Sequence, residues 1–353
     1  MPDLSVQRLM IRALMALPKP VLRGLSGGGV VYQGGRTLDA RFQFLTSQAR
    51  RLPPLTSLPP QDARAASAQG LAPMAGRPEP GVRVEALDID SPQVNGMAGP
   101  IPVRVYRPER QDPAAPILVF AHFGGGVIGD LETCETFCGI LSSVARCPVL
   151  SVGYRLAPEH RFPAGLDDTL AAYRWARDNA DRFGAPVGRA AIGGDSMGGN
   201  FAAVIAQDLR AAGEPQPDLQ LLIYPAVDVA SETASMTTYA DAYPLSRATM
   251  EWFMGHYMGP ADSPADPRLS PVRAADLSGL APAIVVTAGF DPLVDQGEAY
   301  ARRLKGAGVS VTYRCYDHLA HAFTAFTGVI PAADEACREI AALVRDALKA
   351  THA

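Results

Sequence analysis

The sequence predicts an α/β architecture, a mostly parallel sheet covered by helices on both faces. Three observations carry this. Short apolar runs bounded by turn residues alternate with longer helical patterns through most of the chain. Hydrophobic residues make up 48% and charged residues 19% of the 353 positions, which supplies an ample core. The length fits one large domain or two at roughly 100–200 residues each, so the motifs must decide between them.

The first twenty residues place Leu4, Val6, Met10, Ile11, Leu14 and Met15 around Arg8 and Arg12, with Asp3 where a secretory leader would be basic. This predicts an amphipathic helix rather than a signal sequence. Such a helix either covers a site or, as the alternative, touches a lipid surface. No apolar run of 18 residues is present, so no membrane insertion is expected. Leu52–Pro80, with Pro53-Pro54 and Pro59-Pro60, reads as an irregular connector. Residues 1–80 are therefore taken as an N-terminal helical cap segment and connector.

From Gly81 the pattern changes. Strands are expected at Val82–Asp88, Ile101–Tyr106, Pro116–Ala121, Val149–Tyr154, Ala190–Gly193, Leu219–Tyr224, Ala283–Thr287 and Val309–Tyr316. Helices are expected near Leu166–Asn179, Gly198–Ala212 and Gln296–Gly306, and from Ala332. Residues 81–224 and 281–353 form the core in this reading. Residues 225–280 break the rhythm and carry Met236, Tyr239, Met250, Trp252 and Phe253, which marks a second cap or lid segment above the strand ends.

The formal charge of −4 and pI near 5.9 give no footprint for nucleic acid or an anionic membrane, and favour a small neutral substrate. Five cysteines are an odd number in a long chain, so free thiols and a reducing, cytoplasmic setting are expected. No Cys/His cluster has metal-ligand spacing, and no metal or organic cofactor is called for.

Chemistry concentrates in Gly194-Asp195-Ser196-Met197-Gly198, set between an apolar strand and an Ala-rich helix. A strand turning sharply into a helix exposes the central serine above the sheet, and small flanking residues avoid clashes there. Asp195 reads as a helix cap or a wall of the substrate pocket. Serine needs a base, and the base needs an orienting acid. The histidines are His122, His160, His256, His318, His321 and His352; His318 and His321 both follow the last strand, where this chemistry places the base. Asp291 ends the preceding strand and Asp295 opens a helix. Asp291 is the better acid, though spacing alone separates neither pair. His122-Phe123-Gly124-Gly125-Gly126 follows the third strand, and its glycines let backbone N–H groups approach a reacting carbonyl together with the amide of Met197. The loop lacks the ending of a phosphate cradle.

These blocks, with Tyr154-Arg-Leu-Ala-Pro-Glu-His160, Asp291-Pro-Leu293 and His321-Ala-Phe323, resemble the hormone-sensitive-lipase-like, bacterial family IV carboxylesterases from about Val82 to the C-terminus. The resemblance implies an α/β-hydrolase fold with a helical cap. It also implies Ser196 as nucleophile, Asp291 as acid and His321 as base, with Gly124, Gly125 and Met197 forming the oxyanion hole. Two departures stand out. The family usually reads His-Gly-Gly-Gly-aromatic, whereas Phe123 here precedes the glycines; a one-residue shift would promote Gly126 to donor and put Phe123 in the substrate pocket. Ala322 stands where the family usually has glycine. Family members often pair through the C-terminal strand and helix, which leaves a homodimer open by analogy.

The expected activity is hydrolysis of short- to medium-chain, mainly apolar carboxylic esters through an acyl-enzyme. An amidase, lactonase or acyltransferase would use the same groups. A non-catalytic binding protein of the same fold would be expected to lack one of them.

Overall fold

The computed structural model describes residues 3–90 and 99–350. The N-terminal part contains α1 (Leu4–Met15), α2 (Lys19–Leu25), a hairpin of β1 (Tyr32–Gln33) and β2 (Arg36–Thr37), α3 (Ala40–Ala49) and α4 (Pro60–Leu71). Helix α4 lies inside the stretch expected to be irregular. Its prolines act as punctuation rather than as breakers: Pro60 occupies the first turn, where a missing N–H costs nothing, and the alanines behind it favour helix.

The remaining elements are β3 (Val82–Asp90), β4 (Pro100–Pro108), β5 (Ile117–Ala121), α5 (Glu135–Ala145), β6 (Val149–Val152), α6 (Ala164–Asp178), β7 (Ala190–Asp195), α7 (Met197–Ala211), β8 (Gln220–Ile223), α8 (Ala234–Thr238), α9 (Arg247–Tyr257), β9 (Ala283–Phe290), α10 (Val294–Gly306), β10 (Val311–Ala320) and α11 (Pro331–Ala350). Helix α5 was not among the expected elements, although Phe137, Ile140, Leu141, Val144 and Ala145 recur at helical spacing.

Eight strands form one sheet in the order β10-β9-β8-β7-β5-β6-β4-β3. Pairings from β10 to β6 are parallel, and β4 runs against both of its neighbours. Central strands β5 to β9 are buried at every position, whereas the edge strand β3 exposes most of its residues. A strand enclosed on both faces needs apolar side chains in both directions, so its sequence is a run rather than an alternation. Two apolar clusters lie on either side of this sheet, one centred on α6 and α7, the other on α5 and α11. No helix among the described residues is long and apolar enough to cross a membrane.

The topology also fixes where chemistry can occur. Strands β5, β7, β9 and β10 run parallel, so the residues following them all emerge at one edge of the sheet.

Candidate active site

Ser196 sits between β7 and α7 with φ 57° and ψ −113°, a region that costs a non-glycine residue on the order of 1–3 kcal/mol. Its environment holds it there: the Ser196 N–H donates to the Ile223 carbonyl at 2.8 Å. The turn is tight enough that a Cβ on Gly198 would lie 2.0 Å from the Ala121 carbonyl oxygen, which explains the glycine two residues after the serine.

Asp291 follows β9 directly and His321 follows β10 directly. The structure brings them to the serine. His321 Nε2 lies 2.9 Å from Ser196 Oγ, and its Nδ1 lies 2.7 Å from Asp291 Oδ2. Asp291 is fully buried, and its other oxygen accepts the Leu293 N–H at 2.9 Å, so the carboxylate cannot rotate away from the ring. Asp295 is elsewhere: its carboxylate accepts the Ser235 N–H at 2.7 Å. His318 is exposed on β10. His352 lies outside the described residues.

The loop after β5 has positive φ at Gly124, Gly125 and Gly126. Gly125 lines the cavity together with Ser196 and Met197. A side chain on Gly125 would meet the Phe253 ring at 2.3 Å. Met197, as first residue of α7, keeps its N–H outside the helical ladder. The loop is braced from behind. His122 Nδ1 contacts the Phe123 carbonyl at 2.7 Å, the Tyr154 hydroxyl donates to the His122 carbonyl at 2.8 Å, and the two rings stack at 4.2 Å. Burial pulls the His122 pKa down to about 4, so the ring is a neutral anchor near pH 7. From α4, Arg64 donates to the carbonyls of Val127 (2.8 Å) and Ala157 (2.7 Å).

The cavity above Ser196 has a volume of about 210 Å³. Its walls include Met197, Met236, Leu245, Met250, Phe253 and Met254, and Glu232, Arg247 and Glu251 stand at its margin, with Arg247 paired to both acids.

Three residues considered for the substrate pocket are not among those lining it. Phe123 is packed in the apolar cluster on the α5 side of the sheet, and Gly126 lies against the Tyr257 ring. Asp195 is neither wall nor helix cap. It is fully buried below the serine, where its Oδ2 accepts from the Tyr224 and Thr324 hydroxyls at 2.8 Å each. Desolvation raises its pKa to about 6 despite these bonds.

The sequence reading missed Tyr224 and Thr324. The Tyr224 ring centroid lies 4.7 Å from that of His321, and its backbone has φ 34° directly after β8. Thr324 was legible only as the third residue past the histidine. It missed Gln296 too, whose side-chain oxygen accepts the N–H groups of Val227 (2.7 Å) and Asp228 (2.8 Å) and shapes the cavity floor.

A serine on a strained strand-to-helix turn, a histidine bridging it to a buried carboxylate, and an adjoining glycine loop define the class, a serine hydrolase, and the relatives narrow it to carboxylic esters. Known proteins agree. A family described as alpha/beta hydrolase fold matches residues 118–325. The carboxylic ester hydrolase LipN of Mycobacterium tuberculosis is 42% identical over 325 residues, covering 90% of this chain and 85% of that protein. The ethyl acetate hydrolase of Pseudomonas putida is 43% identical over 239 residues, 67% of this chain and 75% of that one. An ester hydrolase from the metagenome of Lake Arreo, solved with a bipyridine phosphonate derivative, superposes with a TM-score of 0.81 at 41% identity, covering 86% of this chain and 96% of the other. The chain belongs to the hormone-sensitive-lipase-like carboxylesterases of the α/β-hydrolase superfamily.

Proposed function

We propose that Ser196 is the nucleophile, His321 the general base and Asp291 the orienting acid of a two-step acyl transfer. The observation that carries this reading is the continuous contact from Asp291 through His321 to Ser196. His321 removes the hydroxyl proton as Ser196 Oγ attacks the ester carbonyl. The amides of Gly125 and Met197, with Gly124 beside them, stabilise the oxyanion. His321 then protonates the departing alcohol, and water, deprotonated by the same ring, releases the acid. Asp291 holds one imidazole tautomer and stabilises the imidazolium formed at each step.

The substrate in this reading is a short- to medium-chain apolar ester. A cavity of about 210 Å³ is below the ~300–1,000 Å³ of sites for drug-sized ligands, and its methionines suit flexible apolar groups. Segments 1–80 and 225–280 together form the cap; Arg64 on the first reaches the glycine loop, and Phe253 on the second packs against it. Five unpaired cysteines support a cytoplasmic setting. No further strand among the described residues pairs with β10, although the Asp39 N–H donates to the His318 carbonyl near its end; the remaining edge leaves room for a homodimer, which sedimentation would reveal.

The test is a series of p-nitrophenyl acetate, butyrate, octanoate and palmitate. The kcat/KM should peak within the first three and collapse for palmitate, and Ser196→Ala should abolish turnover while the chain stays folded. An optimum at palmitate would overturn the substrate class. An active Ser196→Ala enzyme would overturn the nucleophile.

A further inference from the structure

The net charge of −4 hides a strong asymmetry. The first 52 residues hold eight Lys/Arg and two Asp/Glu, a formal charge of +6, against 24 Lys/Arg and 34 Asp/Glu in the rest of the chain. Of those eight cations, Arg36 pairs with Asp317, and the other seven have no carboxylate partner among the described residues. The same 52 residues carry nine of the eleven exposed large hydrophobic side chains of the described chain, the other two being Val84 and Val187.

Helix α1 is apolar on two sides: Ile11, Leu14 and Met15 pack on the core, while a second apolar stripe is left to water. Val6, Leu9, Met10 and Ala13 recur at helical spacing and face solvent, with Leu9 69% and Met10 63% exposed. Arg8 and Arg12, four residues apart, turn inward and donate to the carbonyls of Ala72 (3.2 Å) and Ala75 (3.3 Å). Leu25 on α2 and Val30 beyond it are exposed as well, and Lys19 and Arg51 add exposed cations to the same N-terminal segment. An apolar stripe that the fold leaves to water on a basic lobe marks a binding surface.

We propose that this lobe docks reversibly on an anionic lipid bilayer, with the α1 stripe in the interfacial region and the basic residues among the headgroups. Charge chooses the occupant. Self-pairing through the stripe would bring two +6 lobes together. Docking onto another face of a second copy would meet acidic surface, but with Val84 and Val187 as the only exposed large apolar side chains there among the described residues. An anionic bilayer supplies both the negative charge and the apolar depth. Nucleic acid supplies charge but gives an aliphatic stripe nothing to enter.

The experiment is co-sedimentation of the full chain with vesicles of phosphatidylcholine and phosphatidylglycerol in equal parts, and with phosphatidylcholine alone. Binding is expected to the anionic vesicles, weakening as salt is raised. Combining Leu9→Glu with Met10→Glu should weaken it at least tenfold, since two side chains lose apolar burial. Lys19→Ala and Arg51→Ala should each weaken it about fivefold, the fold-change of ~1 kcal/mol per basic residue. All variants should hydrolyse dissolved p-nitrophenyl acetate at the parent rate, which shows that they are folded. No binding to anionic vesicles, or binding unchanged in the Leu9/Met10 variant, overturns the proposal. So does self-association in sedimentation velocity that this variant abolishes, which would assign the face to a second copy.

Discussion

The Thr324 hydroxyl lies 2.8 Å from Asp195 Oδ2, tying the residue just before the serine to the loop that carries His321. The Tyr224 hydroxyl is 2.8 Å from the same oxygen and 2.6 Å from Thr324 Oγ1. Three short contacts thus join three groups. When Asp195 is ionised, two hydroxyl hydrogens must serve three contacts; when it is protonated, a third hydrogen completes the set. This agrees with a carboxyl whose pKa burial has raised to about 6.

Asp195 therefore makes a signed prediction for stability. Its folded pKa of about 6 exceeds the ordinary 3.8, so the folded state holds the proton more tightly. Its contribution is fully present below about pH 4 and is lost as pH rises to about 6, by on the order of 3 kcal/mol. Asp195→Asn keeps an oxygen acceptor and removes the titration. The stability difference between variant and parent, from urea melts, should shift toward the variant between pH 4 and 6.5 and then level off. A difference flat across that range would show that Asp195 does not titrate there.

Asp291 and Asp295 separate the chemistry from the scaffold. Asp291→Asn leaves a side chain of the same shape but upsets the tautomer of His321, and kcat should fall roughly 10³–10⁴-fold, as expected when a triad carboxylate is lost. Asp295→Asn can still accept from the Ser235 N–H. It should keep kcat within about threefold and lose under ~1 kcal/mol from the first turn of α10. Steady-state kinetics on p-nitrophenyl butyrate ranks the two, and the reverse order would reassign the acid.

Gly125 packs against Phe253 of the 225–280 segment, and in the proposed mechanism its amide faces the oxyanion. An added methyl at Gly125 meets the Phe253 ring at 2.3 Å, on a backbone with φ 63°. Gly125→Ala should push the loop off its position and lower kcat by about 10²–10³, the usual cost of losing one oxyanion donor. Adding Phe253→Ala removes the obstacle and should recover part of the loss. A Gly125→Ala enzyme within tenfold of the parent would place the donor at another glycine.

Much of this site was legible because its chemistry depends on order along the chain: Ser196, then Asp291, then His321, each just past an apolar run. The central strands were legible as short unbroken apolar runs, since β5 and β7 must be apolar toward both faces. What escaped was whatever depends on side-chain direction. Asp195 adjoins the serine in sequence yet is buried against Tyr224 and Thr324, because β7 ends at Asp195 and the sharp turn at Ser196 sends the next side chain elsewhere. Helix α4 hid behind prolines, and α5, though helically patterned, is a short element between two strands. The inward arginines of α1 could not be foreseen, because a helical pattern reveals two faces without saying which one the protein covers.

Ala322 shows what a one-methyl departure from the family pattern means physically. It adopts φ 57° and ψ 24°, the left-handed region that glycine enters freely. For alanine this costs roughly 1–2 kcal/mol, yet the methyl is buried against the core, and glycine would add ~0.5–1 kcal/mol of chain entropy to lose on folding. These terms nearly cancel. Ala322→Gly should therefore stay within about 1 kcal/mol of the parent in denaturant melts and keep its kcat. Ala322→Val adds two methyls to a buried site and a β-branched side chain in a conformation it strongly resists. It should cost at least ~2 kcal/mol and slow turnover by displacing His321 from Ser196. If valine were tolerated as well as glycine, the backbone after His321 would not be held in this conformation during catalysis.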